Sequence, residues 1–176
     1  IRDSILTVTG ELDADPGKEH PFPSPVSWGF SQHGPFSAVY DHNKRSVYLM
    51  TQRLKRHPFL ALFDGADPNA STADRLGTTV PTQALFFLND PFLHAKAEAW
   101  SKRLMAEVAT ETQQIDTVYV AALGRSAAAD DQADATAFLA ECRIELAALG
   151  LDNVQQRALG SCLRTVLGSN EFLHVD

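Results

Sequence analysis

The chain has 176 residues, with 44% apolar and 21% charged residues, which is ordinary for a globular domain with a buried core. Its net charge of −7 argues against nucleic acid as a partner, because contacts to phosphates require a basic surface. No stretch approaches the roughly 20 apolar residues of a membrane-spanning helix, so we expect no membrane span.

The first ten residues have the spacing of a short helix. Its apolar residues share one face: Ile1, Ile5, Leu6 and Val8. Gly10 suits the end of such a helix, whereas no capping residue precedes its start. An uncapped start indicates a piece of a longer protein. We therefore expect residues 1–176 to be a single domain or the C-terminal part of a larger one.

Residues 11–45 are rich in proline, which excludes long helices. Aromatic residues are interleaved with the prolines: Phe22, Trp28, Phe30, Phe36 and Tyr40. We interpret residues 11–45 as an extended segment packed on the helical body, with its aromatic rings as anchors. The alternative is an exposed aromatic strip that binds sugar rings.

The next stretch, Arg45–Leu54, fits a strand and a helix equally, because Val47–Met50 are four consecutive apolar residues. His57-Pro58 ends this stretch. Five basic residues lie close together here: Lys44, Arg45, Arg53, Lys55 and Arg56. We interpret them as a solvated or ion-paired face.

The densest polar group follows, within 26 residues of chain. Its candidate binding residues are Asp64, Asp67, Asn69, Arg75, Gln83 and Asn89. Oxygen ligands in a glycine- and proline-rich turn could bind Ca²⁺, but the spacing matches no EF-hand loop. Such residues are also ordinary turn chemistry, so we predict no metal here. At least one of the two carboxylates should accept hydrogen bonds from turn N–H groups or from Arg75.

Two helix starts explain most of the polar residues between Thr79 and Trp100. Pro81 suits a first helical turn with Thr79 as its cap, and Asp90-Pro91 forms a second start. The helix after Asp90 has one apolar face: Leu93, Ala97, Trp100, Leu104 and Val108. Gln83 is left without a structural role.

Three further helices complete the chain, and the first two end at Gly124 and Gly150. Asp152, with Gln155 three residues later, predicts a capping box at the start of the last helix. The short link makes the last two helices an antiparallel hairpin. The fold class is therefore mainly α: an irregular multi-helix domain with an extended N-terminal segment and a C-terminal helical hairpin.

Cys142 and Cys162 are the two cysteines, one on the apolar face of each hairpin helix. Because the turn lies near Gly150, the two cysteines should stand almost level across the hairpin. They form either a disulfide or two buried thiols.

Motifs for catalysis, metals and cofactors are missing from the sequence. The six histidines have no HExxH spacing, and no P-loop, GxGxxG, GxSxG or haem-attachment motif occurs. We therefore predict no catalytic residue, no metal and no cofactor.

The stretch "AVYDHNKRSVYLMTQRLKRHPFLALFDGADPNASTADRLGTTVPTQALFFLNDPF" (38–92) resembles a domain of unknown function from planctomycetes and related bacteria. "IRDSILTVTGELD", "ALGRSAAADD" and "LGSNEFLHVD" extend this resemblance over almost the whole chain. The chain departs from the family pattern in two places: Ser126-Ala127 replaces a proline-rich turn, and Gly168 stands where asparagine is usual.

That domain lies at the C-terminal end of large proteins that often carry a cytochrome-c-type domain. The resemblance therefore implies an extracytoplasmic setting, with upstream domains of the same polypeptide as partners, among them a haem domain. It also implies polysaccharide as a candidate partner. It supplies no catalytic residues.

Two functional hypotheses follow. The first is a non-catalytic helical scaffold or interaction module of a large extracytoplasmic protein. The second is part of a hydrolase acting on carbohydrate, with its cleft shared with a missing upstream half and lined from Asp64 to Asn89. A pocket converging on Asp64, Asp67 and Arg75 would favour the second.

Overall fold

The computed structural model describes residues 1–17, 41–53, 56–71, 77, 78 and 80–174. Within these residues the chain forms eight α-helices and one 3₁₀ turn at Ser46–Tyr48, with no strand, so the mainly α prediction is confirmed. The helices are α1 (Arg2–Val8), α2 (Pro58–Leu62), α3 (Pro81–Asn89), α4 (Pro91–Glu107), α5 (Glu111–Leu123), α6 (Ala129–Ala148), α7 (Val154–Leu167) and α8 (Asn170–Leu173).

The chain is organised as two compact units. The first unit contains residues 1–11 and 84–176, and the second contains residues 12–83. The first unit holds α1 and α4 to α8, while the second holds the 3₁₀ turn and α2. The boundary falls inside α3.

Helix α7 is the central element of the first unit. Half of its fourteen residues are buried: Ala158, Leu159, Gly160, Cys162, Leu163, Val166 and Leu167. It packs most extensively against α4 and α6, and also contacts α5 and α8. The apolar face predicted for this helix is confirmed. Burial of these side chains contributes to the hydrophobic stabilisation of the unit.

Helices α4 and α7 cross where their side chains are smallest. A Cβ atom added at Gly160 would lie 3.6 Å from Ser101 Oγ and 3.9 Å from the Ala97 carbonyl oxygen. One turn later on α7, Arg164 meets His94, which lies earlier on α4, so the two helices run antiparallel. The close approach lets α4 bury the face that its spacing predicted, including Trp100 at 2% exposure.

Helix α1 is held against α4 by apolar and charged contacts. Ile5 and Leu6 are fully buried. The Arg103 guanidinium donates to the carbonyl oxygen of Thr9, which closes the end of α1. Lys96 of α4 forms an ion pair with Glu11 at 2.9 Å. The predicted N-terminal helix is therefore confirmed, and it packs against α4.

The two predicted helix starts are confirmed. Pro81 and Pro91 are the first residues of α3 and α4. The Phe92 N–H donates to Asp90 Oδ1 at 2.9 Å, so Asp90 caps α4. Thr79, the cap predicted for α3, lies outside the described residues.

The predicted capping box at Asp152 and Gln155 is wrong. Helix α7 begins at Val154, and Asn153 precedes it with φ +56°, in the left-handed region. The Arg157 side chain donates to the Asp152 main-chain carbonyl, outside the helix. Because left-handed backbone at Gly150 and Asn153 lengthens the turn, the start of α7 moves beyond Asp152. The hairpin of α6 and α7 is otherwise as predicted.

The described part of the second unit is largely irregular. Asp13 and Lys44 form an isolated bridge, reinforced by a side-chain ion pair at 2.6 Å. The ambiguous stretch after Arg45 forms a 3₁₀ turn, and Leu49 after the turn has an extended conformation. Residues 18–40, including all five aromatic residues of the predicted extended segment, lie outside the described residues, as does Lys55 of the basic cluster.

The crossing of α4 and α7 predicts opposite effects for two substitutions at Gly160. Gly160→Ala should stabilise the protein by up to about 1 kcal/mol, because alanine favours helix and its Cβ meets only ordinary contacts. Gly160→Val should destabilise it by about 1–3 kcal/mol through overpacking. Urea unfolding followed by far-UV circular dichroism measures both. Equal changes in the free energy of unfolding for the two substitutions would contradict the close approach of α4 to α7 at Gly160.

Candidate functional site

Asp64 is the best-connected residue of the predicted polar group. It follows α2 and has φ +54°, a left-handed conformation that aspartate tolerates better than most residues. Its carboxylate accepts hydrogen bonds from the Thr78 N–H at 2.8 Å and from the Thr78 hydroxyl at 2.9 and 2.8 Å. Asp64 therefore ties the end of α2 to the segment that precedes α3.

Gln83 supports the same turn from the first turn of α3. Its Nε2 donates to the Leu62 carbonyl oxygen at 3.0 Å, and its Oε1 accepts from the Val80 N–H at 3.3 Å. The Arg56 guanidinium donates to the Gly65 carbonyl oxygen on the other side of the turn. Gln83, which had no structural role in the sequence, thus holds the end of α2 against the start of α3.

Asp67 and Asn69 form a second local turn. The Asn69 N–H donates to Asp67 Oδ1 at 2.8 Å, which is an Asx turn. The Asn69 side chain donates to the Arg53 carbonyl oxygen at 2.9 Å. The prediction that at least one of Asp64 and Asp67 accepts a hydrogen bond from a turn N–H group is therefore confirmed.

The remaining candidates do not join this arrangement. Arg75 lies outside the described residues. Asn89 is the exposed last residue of α3 and belongs to the first unit.

Among the residues that the structure describes, no group of three or more histidine, cysteine, aspartate or glutamate side chains could hold a metal ion. The arrangement around Asp64 fixes a turn, with its described polar groups already engaged.

A contact between a buried histidine and an exposed aspartate was not predicted from the sequence. His57 directly precedes α2 and is 6% exposed, and its Nε2 lies 3.1 Å from Asp41 Oδ1. Its Nδ1 is buried and has no hydrogen-bond partner within the described ranges. Asp41 is 79% exposed, so the pair links a solvated carboxylate to a buried ring. No local motif signals this contact, because 16 residues separate the partners.

A second missed cluster surrounds Arg125, after the Gly124 cap of α5. Arg125 makes two hydrogen bonds to Glu171 of α8, at 2.7 and 2.9 Å, and one to Asp131 of α6, at 2.6 Å. Its guanidinium lies 5.3 Å from the centre of the Tyr119 ring. These hydrogen bonds lower the pKa of both carboxyls, and burial raises the pKa of Tyr119. The cluster therefore links α8 to the end of α5 and to the start of α6.

No disulfide joins the two cysteines in the structure, and they lie on adjacent helices. Cys162 is buried on α7, while Cys142 on α6 is partly exposed. Burial raises the pKa of Cys162 to about 11. The predicted adjacency of their helices is confirmed, and the disulfide remains a prediction.

Residues 1–139 match a family described as "PSD1: Protein of unknown function (DUF1553)". The chain belongs to this family. No curated protein and no solved structure matches the chain. The family description carries no activity, so it agrees with the predicted domain of unknown function and adds no mechanism.

A helix that spans a membrane needs about 20 mostly apolar residues. No helix in the described part of the chain is long and apolar enough to cross a membrane.

The turn at Asp64 predicts a difference between two substitutions. Asp64→Asn should lower the free energy of unfolding by less than about 1 kcal/mol, because asparagine tolerates positive φ and keeps an acceptor for Thr78. Asp64→Ala should cost about 2 kcal/mol, because it loses both hydrogen bonds and strains the backbone.

Urea unfolding measures these costs, and Thr78→Val provides the matched control. In the Thr78→Val background, the additional cost of Asp64→Ala should shrink, because the hydrogen bond from the Thr78 hydroxyl is already lost. Additive costs would show that Asp64 and Thr78 are not coupled.

The Arg125 cluster predicts a pH dependence of stability. Because the folded-state pKa values of Asp131 and Glu171 are lowered, their stabilisation is present above their ordinary pKa values and is lost as pH falls through the folded values. Calorimetry should therefore show a larger drop in Tm from pH 6 to pH 3 for the unaltered chain than for Arg125→Gln. Equal drops in Tm for the two proteins would show that the cluster contributes nothing to the pH dependence of stability.

Proposed function

We propose that the chain is a non-catalytic helical scaffold or interaction module of a large extracytoplasmic multidomain protein. In this proposal it binds an upstream part of the same polypeptide. The observation that carries the proposal is the outer face of α6, which combines exposed apolar side chains with exposed carboxylates.

The apolar component lies toward the C-terminal end of α6 and in the turn that follows. Ile144 is 71% exposed and Leu149 is 72% exposed, and Leu151 adds a third exposed apolar side chain. These three side chains lie close together in sequence, and neighbouring exposed apolar side chains are typical of interaction surfaces. We call the group formed by Ile144, Leu149 and Leu151 the hairpin patch.

The charged component lies along the same helix. Asp134, Glu141 and Glu145 are exposed, and none forms an ion pair within the described residues. The two carboxylates nearest the patch, Glu141 and Glu145, flank Ile144 in sequence. Charge complementarity therefore favours a partner surface that presents lysine or arginine around apolar side chains.

The polar group at Asp64 supports a structural function for the second unit. Asp64 and Gln83 are hydrogen-bonded to Thr78, Leu62 and Val80, so they hold a turn. A scaffold requires such fixed connections. The carbohydrate hydrolase remains a prediction, and no contact in the described residues favours it over the scaffold.

The cellular setting is also part of the proposal. The resemblance of the sequence to a C-terminal domain of large planctomycete proteins supports an extracytoplasmic location, with a haem domain among the upstream partners. Carbohydrate is a further candidate partner on the same basis.

The test is to mix the 176-residue chain with the separately produced upstream part of its polypeptide and to measure binding by titration calorimetry. The unaltered chain should bind. Ile144→Glu combined with Leu149→Glu should weaken binding at least about tenfold, because a charge in a desolvated contact is costly. Raising the salt concentration should slow association, because the partner surface is basic.

Val120→Glu is the matched control. Val120 is 49% exposed on α5, away from the hairpin patch in sequence, so its substitution should leave binding unchanged. No binding by the unaltered chain, or an equal loss with Val120→Glu, would contradict the proposal.

A further inference from the structure

The two cysteines stand across the α6–α7 hairpin. Helix α6 ends at Ala148 and α7 begins at Val154, so the midpoint of the link is residue 151. The position level with Cys142 is therefore residue 160, and Cys162 lies two residues farther along, about 3 Å along the helix axis. Helices α6 and α7 are in direct contact, so two residues that stand nearly level on them lie close together across the hairpin.

The surroundings of the two sulfur atoms differ. Cys162 faces the charged or polar groups of Glu111 and Tyr119 on α5 and of Cys142 on α6, and burial raises its pKa to about 11. Cys142 also raises the pKa of Cys162, which agrees with their proximity across the hairpin.

Cys142 is the more accessible thiol. Burial raises its pKa, with Glu141 and Glu145 on its own helix acting in the same direction, while Arg164 on α7 lowers it. The thiolate is the nucleophile in disulfide exchange, so the partly exposed Cys142 reacts first with a small disulfide in solution. Cys162, with 6% exposure, is shielded from such a reagent.

We propose that Cys142 and Cys162 form an oxidisable pair, in which Cys142 reacts with a small-molecule disulfide and Cys162 closes the intramolecular bond. With oxidised glutathione, the Cys142 thiolate attacks one sulfur and releases one glutathione thiolate. Cys162 then loses its proton to solvent, attacks the Cys142 sulfur and releases the second glutathione. The protein loses two protons and two electrons, and oxidised glutathione gains them to become two molecules of reduced glutathione.

Closure has two consequences. The bond closes a loop of about 20 residues, which should raise Tm by about 5–10 °C in the chain-entropy account. The closing step depends on the small thiolate fraction of Cys162, so its rate should rise about tenfold per pH unit between pH 7 and pH 9. This inference does not rest on the proposed function.

The experiment exposes the 176-residue chain to oxidised glutathione, stops exchange with acid and determines the products by mass spectrometry and thiol titration in denaturant. The unaltered chain should lose two hydrogens, retain no glutathione and have no free thiol. The closure rate should follow the predicted pH dependence, and dithiothreitol should reverse the rise in Tm.

Two variants separate the steps. Cys162→Ala should retain one glutathione on Cys142, and Cys142→Ser should remain unmodified. An unaltered chain that ends with one bound glutathione and one free thiol, or with two free thiols, overturns the proposal. This outcome is measured without either variant, so the test stands even if a variant fails to fold.

Discussion

The packing of α7 is the constraint on which the first unit depends. Half of the residues of α7 are buried, and α4, α5, α6 and α8 all pack against it. Its contact with α4 is close because Gly160 faces Ala97 and Ser101 at the crossing. A helix surrounded in this way has little surface left for a partner, so interactions must use the outer faces of its neighbours.

The structure separates two kinds of polar residue. Around Asp64, the described carboxylate and amide groups are hydrogen-bonded to nearby chain, and they fix the end of α2 to the start of α3. Along α6, Glu141 and Glu145 are exposed beside Ile144. A dense polar sequence therefore marks a turn here, while the exposed surface that we propose for a partner lies on α6.

Local patterns predicted most of the helices and their buried faces. The spacing of Leu93, Ala97, Trp100 and Leu104 was sufficient to predict the buried face of α4. Asp90-Pro91 predicted where this helix begins. Contacts between distant residues were not predictable: 21 residues separate Gln83 from Leu62, and 46 separate Arg125 from Glu171. The start of α7 was misplaced because the sequence does not show that Asn153 adopts left-handed backbone.

Hydrogen exchange tests the central claim most directly: the turn at Asp64 is structural, and the outer face of α6 meets a partner. Exchange would be compared between the isolated chain and the same residues within the longer polypeptide that we propose. The account predicts slower exchange across residues 140–151 in the longer polypeptide, with no change across 64–71 and 77–78. Slower exchange around Asp64, with residues 140–151 unchanged, would contradict it.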